Sequence, residues 1–347
     1  MTNTTATFIA ALKNSPREIN PMELSAKAHS PQLSISLRSV FERYGIYIFL
    51  GLLFITASVV SPQFLNPQNL KDILNQAAAL GMVAIGQTFV ILLGGGGLDL
   101  SVASVMATVA VIMAHNTGGQ DTLFLPVAAV CLFFGILVGL INGLLITKRK
   151  VQPFMATLGV MIIVQGLRFL YTKGAPKGGF PPILRFLGTG DIGPIPTSIC
   201  SLTVLMVMAV IVLNKTTLGR QIYAIGGNIE TAFLSGYRIH LVITVVYMIS
   251  GFCAAVAGLY LAGYVGISDN WVGRGYELDS IAAVVMGGTS FAGGRGGVMG
   301  TIVGVLIIIM LYNLVLLLHL PVQVQYIVKG SIIILAASFY AVFRKSS

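Results

Sequence analysis

Charge is scarce in this sequence: Asp, Glu, Lys and Arg make up 9% of its 347 residues, against 56% hydrophobic residues. Soluble domains carry about 25% charged residues, so a water-soluble fold is excluded. Cysteine is scarce too. Cys131, Cys200 and Cys253 each sit in an apolar stretch, without metal-ligand or disulfide-framework spacing, and read as small apolar packing residues. The histidines His29, His115, His240 and His319 are scattered and show no metal spacing. A Gly-x-x-x-x-Gly-Lys-Ser/Thr phosphate loop is missing, because Lys215-Thr216 and Lys345-Ser346 lack the preceding glycines. With no nucleophile, base or metal constellation in view, catalysis within this chain is not expected, and neither is a cofactor or a bound metal.

Long apolar runs are what the sequence has. A bilayer core about 30 Å thick takes about 20 apolar residues to cross, and runs bounded by breakers fall near 45–61, 77–97, 101–116, 123–147, 153–172, 197–214, 241–264, 278–292, 298–319 and 322–343. The pattern predicts an all-α polytopic membrane protein of about ten transmembrane helices, with no room for a second globular domain. Residues 1–44 are polar, contain Pro16, Pro21 and Pro31, and lead through Arg43 into the first run. A cleaved signal peptide would place its apolar region earlier. Residues 1–44 are therefore expected to be a cytoplasmic tail, partly disordered, and 45–347 the transmembrane domain.

The net charge of +10 would suggest nucleic acid for a soluble protein, but the basic residues sit singly or in threes between apolar runs. They read as topology marks, since Lys and Arg concentrate in cytoplasmic connections. With the N-terminus inside, the inner segments carry Lys148, Arg149, Lys150, Lys215, Arg220, Arg238, Arg295, Arg344 and Lys345 as well as the basic residues of the tail. The outer segments carry only Lys71, Lys173, Lys177, Arg185 and Arg274. Both termini are therefore expected in the cytoplasm.

Two connections are too glycine-rich for ordinary helix: Gly94 to Ser101, and Gly287 to Gly297. In a bilayer, non-helical backbone survives only when buried in protein or lining an aqueous cavity, and paired interruptions point to a central pathway. Asp99 precedes the helix predicted from residue 101, where a carboxylate either caps that helix or makes a gating contact. Arg168 and Lys329 lie in the outer parts of spans; each is either a pathway residue or a side chain snorkelling to the interface. The amides of Gln87, Asn142, Gln165 and Asn313 fall inside spans, where they more often tie helices together than touch cargo.

Four segments carry a resemblance: GGGGLDLSVASVMA (94–107), INGLLITKRKVQPFMATLG (141–159), LGRQIYAIGGNIETAFLSG (218–236) and GYELDSIAAVVMGGTSFAGGRGGVMGT (275–301). In this order they resemble the ribose-type permeases of ATP-binding-cassette importers, leaving mainly the first 44 residues uncovered. Where Gly97 stands the family commonly has isoleucine, so a different local backbone is expected there.

The resemblance implies a permease subunit of a sugar importer in the bacterial cytoplasmic (inner) membrane, forming a homodimer or a heterodimer with a homologous permease. It implies two ATP-binding subunits on the inner side, where ATP and Mg would be held, and a periplasmic or extracellular sugar-binding protein outside; no nucleic acid partner is implied. It makes 215–240 the cytoplasmic coupling loop, with Gly219, Arg220, Gly227, Glu230, Ala232 and Gly236 at its contact with the ATPase. The pathway or gate candidates are Gly95, Gly96, Asp99, Ser101, Asn142, Gly287, Gly288 and Lys329. No tight sugar site is expected in a permease fed by a soluble binding protein. The alternatives are an ion-coupled secondary transporter, which would need carboxylates near mid-membrane, and a related permease for branched amino acids or nucleosides. Asp99, Asp121, Glu277 and Asp279 all fall at predicted span ends.

Overall fold

A computed structural model describes residues 37–321, 323–327 and 330–331, with side chains from Tyr44 onward. The chain divides after Gly45. Before that point the described residues are the opening turns of α1 (Leu37–Val60). After it come α2 (Pro67–Leu92), α3 (Val102–Thr117), α4 (Phe124–Lys148), α5 (Pro153–Thr172) and α6 (Pro182–Thr189). A hairpin of β1 (Asp191–Ile192) and β2 (Ile195–Pro196) leads to α7 (Thr197–Lys215), α8 (Thr217–Gly227) and α9 (Ile229–Leu234). The order closes with α10 (Ile239–Val265), α11 (Tyr276–Met286) and α12 (Val298–Leu317).

The punctuation is local chemistry. Pro67, Pro153 and Pro182 open α2, α5 and α6, where a missing N–H costs nothing because no carbonyl of the helix awaits it. Gly118 and Gly266, at φ +54° and +73°, end α3 and α10 in the left-handed conformation.

Among the described residues, six helices are long and apolar enough to cross a membrane: α2, α4 with the turn before it, α5, α7, α10 and α12. The protein is all-α and polytopic. Shorter apolar helices lie at Tyr44–Val60 and in α3. Of the expected runs, 278–292 is realised differently: α11 has 11 residues, a length of about 16 Å against a core of about 30 Å. The glycines from 287 onward stop it. The expected run at 322–343 lies mostly outside the described residues, as does the 1–44 tail. α6 and the hairpin beside it answer to no expected run, since eight residues leave too weak a periodic signal.

Burial divides the helices into an inner and an outer set. The most apolar window of α2 is 89% buried, whereas those of α4, α5 and α7 are buried to 22–28%. Leu125, Phe133, Ile163, Leu170 and Ile211 on these outer helices are exposed, as side chains bathed in lipid should be. α10 lies against α4, α2, α3 and α6. Its crossing with α4 is close because Gly135, Gly139 and Gly143 present no side chains there: a β-carbon at Gly139 would collide with Tyr247 O. Small residues at such spacing bring two membrane helices to backbone contact. That crossing sets Asn142 and Ser250 beside the chain between α2 and α3.

Candidate functional site

α2 ends at Leu92, and the chain turns through Gly94, Gly95 and Gly96 at φ +70°, +61° and +75°. Three consecutive left-handed residues demand glycine. Gly97 has no such φ, but a β-carbon on it would lie 2.8 Å from Val90 O. The turn is thus tighter than a branched side chain allows. Gly95 and Gly96 themselves face open space.

Beyond the turn the backbone re-enters the protein, and its polar groups are met there. Leu98 O accepts from Tyr247 Oη at 3.3 Å and from Thr157 Oγ1 at 3.4 Å. Asp99 is fully buried. Its Oδ1 accepts from Ser101 Oγ at 2.6 Å and Ser101 N at 3.0 Å, and its Oδ2 accepts from Ser250 Oγ at 2.7 Å. Asn142 Nδ2 donates to Ser101 Oγ at 2.9 Å. The Gln87 amide, oriented so that both ends are paired, donates to Asp99 O at 3.3 Å and accepts from Asp99 N at 3.1 Å.

The expectations for Asp99 are sharpened accordingly. Ser101 occupies the N-cap of α3 and its side chain makes no capping bond, while Asp99 takes the Ser101 N–H itself. Asp99 does lie in the connection between two spans, as expected, but fully buried. It is a hydrogen-bonded knot joining α2, α4, α10 and the start of α3. Asp279 is likewise buried, accepting from Tyr312 Oη at 2.8 Å across to α12. Both lie at helix ends, as expected, Asp99 in the connection between α2 and α3 and Asp279 in the first turn of α11, but both are buried there.

The segment between α7 and α10 folds as two short helices. Thr216 caps α8 by accepting from Gly219 N at 3.3 Å, and Gly219 lies so close to α7 that a β-carbon would strike Leu213 O. Asn228 caps α9, accepting from Glu230 N and Thr231 N at 2.9 Å each. The far end closes in a paired turn: Tyr237 N donates to Ala232 O at 3.2 Å and Gly236 N to Phe233 O at 2.9 Å, with Gly236 at φ +81°. Gly236 thus ends the helix in a left-handed turn. Ala232 faces inward, whereas Arg220 and Glu230 face outward.

The two glycine turns and α8 meet. Gly294 N donates to Leu92 O at 2.9 Å, and a β-carbon at Gly226 would fall on that same carbonyl. Gly293 lies against Gly94 and Gly226, and Tyr223 Oη of α8 donates to Gly296 O at 2.9 Å. Backbone touches backbone at this junction, with no compressible side chain between. Gly287 sits against Gly300 of α12, while Gly288, at φ +85°, has open space around it.

Sequence reasoning placed Asp99, Ser101 and Asn142 among the candidates, and the fold brings them together. It missed Ser250 and Gly226, neither of which carries a local signal. Arg168 is 4% exposed and donates to Ser104 O at 3.2 Å, so it turns inward and the snorkelling alternative fails for it. Asn313 and Asn69 exchange amide hydrogen bonds of 2.7 and 3.2 Å between α12 and α2, as expected of amides inside spans. Lys329 lies outside the described residues. Among the described residues, no three His, Cys, Asp or Glu side chains gather where a metal would sit.

A domain of bilayer-crossing helices, with irregular backbone kept inside it and an exposed helix pair at one end, is the architecture of a membrane permease. The family model described as the permease component of branched-chain amino acid transport systems matches residues 69–337, and the chain belongs to that family. It is 40% identical to the ribose import permease protein RbsC of Bacillus subtilis (strain 168) over 310 residues, which cover 88% of this chain and 94% of that one. With the ribose import permease protein of Haemophilus influenzae it shares 39% identity over 294 residues, 84% of this chain and 90% of the relative. With the galactose/methyl galactoside import permease protein MglC of Escherichia coli (strain K12) it shares 35% over 312 residues, 85% and 92% of the two chains. No solved structure matches the chain.

Proposed function

We propose that this protein is the membrane-spanning permease subunit of an ATP-binding-cassette sugar importer, carrying sugar across the bacterial cytoplasmic membrane while a separate subunit hydrolyses ATP. The observation that carries the reading is the 40% identity to a ribose import permease across 88% of the chain. The fold agrees with it: six membrane-capable helices form the body, and α8 and α9 form a compact handle seated on it through Ile222, Ile225 and Gly226.

The handle is what an ATPase would grip. Ile229, Phe233 and Leu234 are 52%, 69% and 84% exposed in a segment that also carries Arg220, Glu230 and Arg238. Large apolar side chains clustered among charges call for a protein partner. A push on α8 would reach both glycine turns through Gly226. We assign the handle to the cytoplasmic side, with both termini and an even number of crossings, on the distribution of Lys and Arg. The assembly is a pair of permease chains, identical or homologous, with two ATP-binding subunits holding ATP and Mg and a sugar-binding protein on the outer face.

The test is reconstitution in liposomes. The permease with its ATPase and binding protein should accumulate sugar only when ATP and Mg are supplied on the ATPase side, and the permease alone should neither hydrolyse ATP nor accumulate sugar. Uptake by the permease alone, driven by a proton or sodium gradient, would replace this reading with ion coupling.

A further inference from the structure

A cavity of about 290 Å³ is lined by Arg168, Gln165, Ser104, Trp271, Arg274 and Glu277. It lies at the end of the molecule away from the handle. Pro153, which opens α5, lines a cleft together with Gly227 and Asn228 of the handle; Arg168 is some fifteen residues further along the same helix, roughly 22 Å at the α-helical rise.

Arg168 is the cavity's least satisfied member. Its Nη1 donates to Ser104 O at 3.2 Å and to Thr108 Oγ1 at 3.5 Å, while its buried Nε has no hydrogen-bond partner among the described residues. Among the described residues no carboxylate lies within ion-pair distance of it, although the charge of Asp269 acts on it from further off. A guanidinium carries five donors in a fixed fork, and a buried donor left unpaired is costly. Two adjacent oxygens of a ligand would complete the fork.

Beside it stands Trp271, the one tryptophan of the chain and 47% exposed. Its ring meets Phe169 edge-on at 5.5 Å, and the Arg274 guanidinium lies over it at 4.8 Å. Asn270 Nδ2 donates to Thr172 Oγ1 at 3.3 Å and Gly174 O at 3.1 Å, pinning this segment to the end of α5. An apolar ring beside a forked donor and a carboxylate suits a neutral, polyhydroxylated ring. Its C–H face can lie on the indole, and its vicinal hydroxyls can both accept from Arg168 and donate to Glu277. Glu277 in the wall and Asp269, whose charge acts on Arg168, offset the two guanidiniums, so an anion gains no net attraction, and an apolar ligand would leave Arg168 unpaired.

The geometry points to a low-affinity subsite for a neutral sugar in this cavity, with Trp271 as the stacking face and Arg168 as the donor to two adjacent hydroxyls. It rests on the sugar-importer reading above and adds a place inside the permease where cargo pauses after leaving the binding protein.

Because Trp271 is the sole tryptophan, its emission reports the site directly. The full chain in nanodiscs, without partners, is titrated with D-ribose, D-galactose, ribose 5-phosphate and the osmolyte betaine. A saturating emission change is expected for at least one of the two neutral sugars and not for betaine. Arg168→Gln should raise the half-saturating concentration roughly tenfold, the worth of one charge-assisted hydrogen bond. Arg274→Gln, on the exposed rim, should raise it less and provides a folded variant whatever Arg168→Gln does. Two results would overturn the subsite: no saturating change with either sugar in a complex that still takes up sugar with ATP, or tighter binding of ribose 5-phosphate than of the neutral sugars. If the complete complex takes up no sugar at all, the importer reading falls and the subsite with it.

Discussion

The Asp99 carboxylate and the Ser250 hydroxyl are 151 residues apart in the chain and share a 2.7 Å hydrogen bond. Through that bond the loop ahead of α3 is held to the middle of α10. Replacing Asp99 by Ala removes the acceptor for Ser250 and Ser101 together, and each buried donor left unpaired costs about 1–3 kcal/mol. Asp99→Ala should therefore lower the unfolding temperature in detergent far more than Ser250→Ala does. The double variant should lose less than the sum of the two single losses, because the pair is coupled. Strict additivity would show that the bond contributes nothing.

At the junction of α8 with the two glycine turns, a single methyl group is enough to test the mechanics. A β-carbon at Gly226 collides with Leu92 O, whereas one at the neighbouring Gly227 meets nothing within 4 Å. Gly226→Ala should leave the reconstituted complex hydrolysing ATP with sugar uptake reduced about tenfold, an effect worth about 1.4 kcal/mol. Gly227→Ala should keep wild-type stoichiometry of ATP to sugar. Equal behaviour of the two variants would remove Gly226 from the coupling route.

Gly236 makes a different demand, on conformation and not on space. It stands at φ +81° with nothing within 4 Å of its missing β-carbon. Asn tolerates that region and a β-branched residue does not, at a cost of about 1 kcal/mol or more. Uptake should survive Gly236→Asn and fall in Gly236→Val, with membrane insertion unchanged in both. If Val is tolerated as well as Asn, the helix stop has no part in coupling.

Glu230 begins α9 with an exposed side chain. Glu230→Lys should weaken copurification of the ATPase, and a charge reversal on the ATPase should restore part of the yield and of the uptake. Undiminished copurification would place the ATPase contact elsewhere on the handle.

Sidedness is open to chemical labelling. Arg149, Lys177 and Arg185 are all exposed. In intact cells, an impermeant thiol reagent should react with Lys177→Cys and Arg185→Cys and spare Arg149→Cys. Labelling of Arg149→Cys from outside would invert the topology.

What could be read from the sequence was whatever repeats or breaks locally. Apolar runs gave the long helices, although the run read from 77 missed the opening of α2, which Pro67 starts. The 94–101 and 287–297 stretches stood out by glycine content. Their meeting at Gly226 did not, because a contact between three separate segments leaves no periodic trace in any of them. Asp99 illustrates the same limit. Its neighbours in sequence suggested a helix cap, but its burial depends on Ser250 and Asn142, which reach it only once α4 and α10 have crossed. Arg168 followed the general habit of long cationic side chains in sequence and departed from it in space, because α3 offers it a carbonyl at Ser104.

The close crossing of α4 and α10 also bears on how the protein is made. Gly139 of α4 leaves the ribosome more than a hundred residues before Tyr247, the residue whose carbonyl fills its groove. At about 5–20 residues per second, α4 must wait in the membrane on the order of ten seconds with its small-residue face uncovered. During that interval the face is a template for any passing helix with a similar stripe, including one from a second nascent copy. Chains truncated before α10 should therefore be the ones that cellular proteases clear fastest, and insertion chaperones should be needed most while residues 148–240 are being synthesised.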